Sequence, residues 1–120
     1  MMKHKHLIIR AEVDNPPQKE NLETMNDWFR ELIEKIDMEI LLGPYSVYCD
    51  QPGNEGFTSI CAITTSSITI HTWNDPAIVQ LDVYSCKDFD MDIVIDHLNI
   101  FSPTKIQYKF IDRENGLTEL

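Results

Sequence analysis

A chain of 120 residues, 42% hydrophobic and 25% charged, has the composition of a folded globular protein with one core, which excludes a disordered or multidomain chain. Its formal net charge of -10, with only ten Lys and Arg, excludes the basic footprint that phosphate backbones require, so no nucleic-acid partner is expected. The acidic surplus serves solubility first and, more weakly, suits a cationic ligand.

In chain order, residues 6–13 predict a strand, ended by the turn formers Asp14-Asn15-Pro16-Pro17. Ahead of it, the basic opening Met1–His6 is followed only by Leu7-Ile8-Ile9 before Arg10, too short for a signal sequence or a membrane span. From Glu20 to Asp37, Leu22, Met25, Trp28, Phe29, Leu32, Ile33 and Ile36 recur at three and four, the stripe of an amphipathic helix. Met38–Tyr48 reads as extended with a break near Gly43-Pro44, and Asp50–Gly56 as a loop. Phe57–Thr65, Ser67–Trp73 and Ala77–Tyr84 predict three strands, Asp90–Ile100 a shorter helix and Lys105–Ile111 a closing strand, with a peripheral tail from Asp112. The order βαβββαβ predicts an α+β fold of a single domain over residues 1–120. It is a two-layer α/β sandwich whose antiparallel sheet carries its helices on one face.

Alternation assigns the faces. Ser67, Thr69, His71 and Trp73 lie opposite Ile68, Ile70 and Thr72. On the next strand Gln80, Asp82, Tyr84 and Cys86 lie opposite Ala77, Val79, Leu81 and Val83. His71 and Cys86 thus share a polar face that also carries Trp73 and Tyr84, which predicts that it meets a second protomer. Cys49, Cys61 and Cys86 leave one over in any pairing and lack metal-ligand spacing, so a reducing, cytoplasmic setting without a metal is expected. Taken alone, Ser66 reads as a turn hydroxyl, His71 as a hydrogen-bonded structural residue and Cys61 as a small buried hydrophobe.

The order S-x-x-x-x-H-T-W-x-[DE], present as Ser66 to Asp75, then D-x-[YF]-[ST]-C, present as Asp82 to Cys86, resembles the bacterial and archaeal class of S-adenosylmethionine decarboxylase. His6-Leu7 opening the first strand, the long helix and Gly56-Phe57-Thr58 fall in the same order, so the resemblance covers nearly the whole chain. It implies a pyruvoyl enzyme of spermidine synthesis that cuts itself between Thr65 and Ser66. Ser66 would become the covalent pyruvoyl group, whose ketone forms a Schiff base with the amine of S-adenosylmethionine and accepts electrons as carbon dioxide leaves. The resemblance makes His71 the proton mover of self-cleavage and the Cys86 thiol the proton donor of turnover. It implies processing support from Thr58 and from Thr65, substrate contacts from Tyr48, Trp73 and Asp75, and a homodimer with its active sites between stacked sheets.

Five positions depart from the family pattern. Thr65 and Ser67 stand where Glu and His flank the reacting serine, Asn74-Asp75 stands for Pro-Glu, and Ser59 stands for a glycine. Two further readings follow: the same chemistry on another amino acid such as ornithine or arginine, and a cleavage-deficient, non-catalytic binding subunit.

Overall fold

The computed structural model describes residues 4–120; Met1, Met2 and Lys3 of the basic opening lie outside the described residues. The elements are β1 (Lys5–Val13), α1 (Leu22–Lys35), β2 (Ile40–Cys49), β3 (Gly56–Ile63), β4 (Ser66–Asn74), β5 (Ala77–Ser85), α2 (Met91–His97) and β6 (Pro103–Asp112). The strands form one sheet in the order β2-β3-β4-β5-β1-β6, antiparallel throughout, so the chain's first strand is inserted between its last two. This is the expected α+β class with one more strand than expected. Ile40–Cys49 pairs with β3 in spite of register shifts on either side of Leu42, which displace the alternation near Gly43-Pro44.

Alternation along β1, β4 and β5 sends Leu7, Ile9, Ile68, Ile70, Val79, Leu81 and Val83 into the core. The stripe of α1, with Met25, Trp28, Phe29, Leu32 and Ile33 buried, closes over that face. The helix stops where Asp37 turns left-handed at φ 58° and Met38 N–H returns to the Ile33 carbonyl at 3.0 Å. The second helical segment is shorter than expected. A tight turn over Leu98–Phe101 follows α2, and Ser102 at φ 53° redirects the chain into β6. Both helices therefore lie on one face, and the other face of the sheet is open.

His97 locks the two helices together. Its Nε2 donates to the Trp28 carbonyl at 2.8 Å, Trp28 Nε1 donates to the His97 carbonyl at 2.8 Å, and the rings stack with centroids 4.9 Å apart. Lys35 Nζ approaches Nδ1 at 3.2 Å. Burial pushes the imidazole below its usual 6.5, and the Lys35 ammonium acts in the same direction; the Trp28 hydrogen bond and Glu31 oppose them. The neutral ring is the folded form, so the unfolded chain takes up this proton first. The stability that this preference confers is whole above about 6.5 and is lost as pH falls through the folded value. Thermal midpoints of the wild type and of His97→Gln should therefore diverge with pH, the wild type falling more steeply below 6.5. Parallel curves would show that His97 does not titrate with folding.

Candidate active site

The residues singled out in the sequence divide between the two ends of the β3–β4 hairpin. At the turn end, Thr64 and Thr65 connect the strands, and β4 opens at Ser66, paired with Ile63 on one side and Ser85 on the other. Ser66 has φ 154°, on the positive side that residues with a Cβ rarely enter. Thr65 is held at two points by consecutive residues. Its carbonyl accepts the Cys86 N–H at 3.0 Å, and its Oγ1 accepts the Ser85 hydroxyl at 2.9 Å while donating weakly to Met38 Sδ at 3.5 Å. Ser85 is fully buried and also accepts the Lys87 N–H at 3.0 Å. The carbonyl immediately before Ser66 is thereby polarised by a fixed donor.

At the opposite end, Thr58 lies across from His71, and Thr58 Oγ1 shares a 3.0 Å hydrogen bond with His71 Nδ1. Two residues further along the same face, Trp73 tilts against His71 with centroids 6.1 Å apart and donates from Nε1 to Asn54 Oδ1 at 3.2 Å. His71, Trp73, Thr58, Asn54 and Cys49 line a cavity of ≈ 180 Å³ with Gly56 in its wall. A Cβ on Gly56 would sit 1.7 Å from the Thr72 carbonyl oxygen, so only glycine lets β3 approach β4 there. Asp75 is exposed in the turn that follows β4.

One chain does not bring these two groups together. Ser66 and His71 are five residues apart on an extended strand, about 16 Å. Cys86, in contrast, adjoins Ser66 through the Ser66–Ser85 pairing. Tyr48 lies on the other face: it pairs with Phe57, packs edge-on against that ring at 5.0 Å, and its hydroxyl accepts from Asn74 Nδ2 at 2.8 Å. Ser59 also faces the helices, where a hydroxyl relay through Ser46 reaches Asn26 in two 2.6 Å bonds. That relay satisfies a side chain where the family pattern has none. Cys61 is a buried thiol on the same side, its pKa pushed up by burial against a smaller opposing effect of Arg30.

Two arrangements had no signal in the sequence reading. His6 Nε2 donates to Asp82 Oδ1 at 2.8 Å on the open face, and Tyr84 packs edge-on against His6 at 6.0 Å. The Ser85–Thr65 hydroxyl pair is the other. The first joins residues on β1 and β5 and the second joins β5 to the β3–β4 turn, visible only once β1 pairs with β5 and β4 with β5. Among the described residues no group of three His, Cys, Asp or Glu is arranged to hold a metal, and no helix is long and apolar enough to cross a membrane.

Comparison with known proteins bears on the whole chain. Residues 5–114 match the family described as S-adenosylmethionine decarboxylase. Over 106 residues the chain is 32% identical to an S-adenosylmethionine decarboxylase proenzyme of Clostridium botulinum (strain Loch Maree / Type A3), covering 85% of this chain and 88% of that one. Over 71 residues it is 35% identical to an S-adenosylmethionine decarboxylase proenzyme of Archaeoglobus fulgidus, covering 58% and 62% of the two chains. The crystal structure of the adenosylmethionine decarboxylase from Aquifex aeolicus shares the fold, with a TM-score of 0.68 over 98% of this chain and 94% of that one at 22% identity.

Proposed function

The chain belongs to the S-adenosylmethionine decarboxylase family, and from that premise we propose that it is a self-cleaving proenzyme that decarboxylates S-adenosylmethionine for spermidine synthesis in the cytoplasm. The observation that carries this reading is the Thr65 carbonyl, held at 3.0 Å by Cys86 N–H directly before a serine at φ 154°. Ser66 Oγ attacks that carbonyl, the Thr65–Ser66 C–N bond breaks, and the serine proton passes to the freed nitrogen, giving an ester. A base then removes the Ser66 Cα proton while the Cβ–O bond breaks and Thr65 leaves as a carboxylate. Water replaces nitrogen, lost as ammonia, to give the ketone. The site fits this group, since its only covalent requirement is the serine and the preceding carbonyl is already polarised. When present, the pyruvoyl ketone supplies the electron sink for decarboxylation.

The base has to come from a second chain. A twofold axis lying between two stacked sheets and perpendicular to β4 turns the open faces together and reverses the strands, so the Thr58–His71 end of one protomer overlies the Ser66–Cys86 end of the other. Exposed apolar residues on that face support such burial: Ile8, Tyr45, Val47 and Ile60, which are 38–64% exposed with no helix above them. In this homodimer His71 of one chain works on Ser66 of its partner, Thr58 orients the imidazole, and Trp73 and Asp75 contact the ligand. The Cys86 thiol donates the proton that replaces carbon dioxide.

The inward turn of Tyr48 favours one competing reading, a smaller amino acid such as ornithine or arginine, because it removes an aromatic ring from the open face. Carbon dioxide release from carboxyl-labelled S-adenosylmethionine, ornithine and arginine separates the two. We expect S-adenosylmethionine to be turned over with at least tenfold higher kcat/KM; preference for either basic amino acid overturns the substrate assignment and leaves the self-cleavage chemistry standing.

A further inference from the structure

We propose that Ser85 is a positioning residue for self-cleavage, acting through Thr65 on the acyl shift; the proposal rests on the self-cleavage reading above. Ser85 Oγ is fully buried and has two partners, the Thr65 hydroxyl at 2.9 Å and the Lys87 N–H at 3.0 Å. The next residue, Cys86, gives its N–H to the Thr65 carbonyl at 3.0 Å. Side chain and main chain of Thr65 are therefore gripped by neighbours on one strand end. The grip on the hydroxyl fixes the rotation of the residue whose carbonyl must face both Ser66 Oγ and the Cys86 N–H.

This pair occupies the place left by an altered flank. Thr65 stands where the family pattern has glutamate, and a threonine cannot act there as a charged group. What it offers is a short hydroxyl, which Ser85 engages across the β4–β5 pairing. An amide carbonyl held in one orientation spends more of its time in the geometry that nucleophilic attack needs, and a displacement of the order of 1 Å is enough to slow such a step about 100-fold. Ser85 touches neither reacting atom; it sets where one of them points. The step itself is the acyl shift written above: Oγ–C forms, C–N breaks, and the proton moves from oxygen to nitrogen with no outside reactant.

Ser85→Ala, Ser85→Thr and Thr65→Val are compared with the wild type by following uncut chain against time on denaturing mass spectra, with and without hydroxylamine, which cuts an ester and leaves an amide. Ser85→Ala is expected to cleave about 10- to 100-fold more slowly, with an uncut chain that resists hydroxylamine because the shift has not taken place. Ser85→Thr restores the rate to within a few-fold. Thr65→Val, which keeps its shape and loses the hydroxyl, shows the same defect as Ser85→Ala and keeps the test decisive if the alanine variant does not fold. Cleavage of a folded Ser85→Ala and of Thr65→Val at the wild-type rate overturns the proposal, as does an uncut chain that hydroxylamine cuts, which would put the lesion after the shift. A wild type that never cleaves overturns the self-cleavage reading itself, a result distinct from a wild type that cleaves alongside fast variants.

Discussion

A chain carrying His71→Ala is expected to stay uncut by itself and to be cut when it shares a dimer with a Ser66→Ala chain. Alone, the variant is expected to lack the group proposed to remove the Ser66 Cα proton, and to cleave about 10²- to 10⁴-fold more slowly. Its acyl shift still proceeds, so the uncut chain is labile to hydroxylamine, the opposite of the result expected for Ser85→Ala. The Ser66→Ala chain is not cut in any setting, having no nucleophile. In the mixed dimer one of the two sites combines an intact Ser66 from one chain with an intact His71 from the other. With equal amounts of the two chains and random pairing, about half of the His71→Ala chains enter mixed dimers and become cuttable. The physical ground is distance: five residues along β4 hold Ser66 and His71 about 16 Å apart within a chain, far beyond the reach of proton transfer. Complete absence of cleavage in the mixture, or fast cleavage of His71→Ala alone, would show that His71 does not act across the interface.

Cys86→Ala separates the two roles proposed for that residue. Its backbone N–H holds the Thr65 carbonyl at 3.0 Å, whereas its thiol takes no part in that bond. Alanine keeps the first and removes the second. Self-cleavage of Cys86→Ala is therefore expected within about tenfold of the wild type, while kcat for decarboxylation falls by about 10²- to 10⁴-fold for want of the proton donor. The measurement is a pair of rates on one preparation, chain cleavage and carbon dioxide release. Loss of both together would mean that the thiol also serves the acyl shift; loss of neither would remove Cys86 from turnover.

Most of the sheet was legible because strands with one buried face write their period into the sequence. The rows Ile68, Ile70 and Val79, Leu81, Val83 point to the core as their alternation predicts. The extra strand was harder to read. Around Gly43-Pro44 the register shifts, and β2 loses the period by which a strand declares itself. The same shift governs Tyr48, whose side is set by its partner Phe57 across the strand pair and not by its neighbours in sequence. His97 reads locally as a polar end to an amphipathic helix, yet Trp28, 69 residues earlier, supplies both of its backbone exchanges. The candidate site was legible residue by residue through a family motif, but its division into two distant ends was not. A motif gives order along the chain, and Ser66 and His71 fall close together in that order while an extended backbone carries them apart. Ser85 stands at the serine-or-threonine position of the motif, but its contact with Thr65 was not legible, since it depends on the β4–β5 register that sets Ser85 beside Ser66.

Ser66 is proposed to turn this chain into two, and the intact mass of freshly purified protein under denaturing conditions, with Ser66→Ala alongside, decides it. The wild type should resolve into one fragment ending at Thr65 and a second beginning at residue 66 whose N-terminus carries a ketone in place of an amine, and the variant should remain a single chain. A wild type that stays whole after long incubation, as a folded dimer, would contradict the claim and point to a binding subunit that keeps the fold without the chemistry.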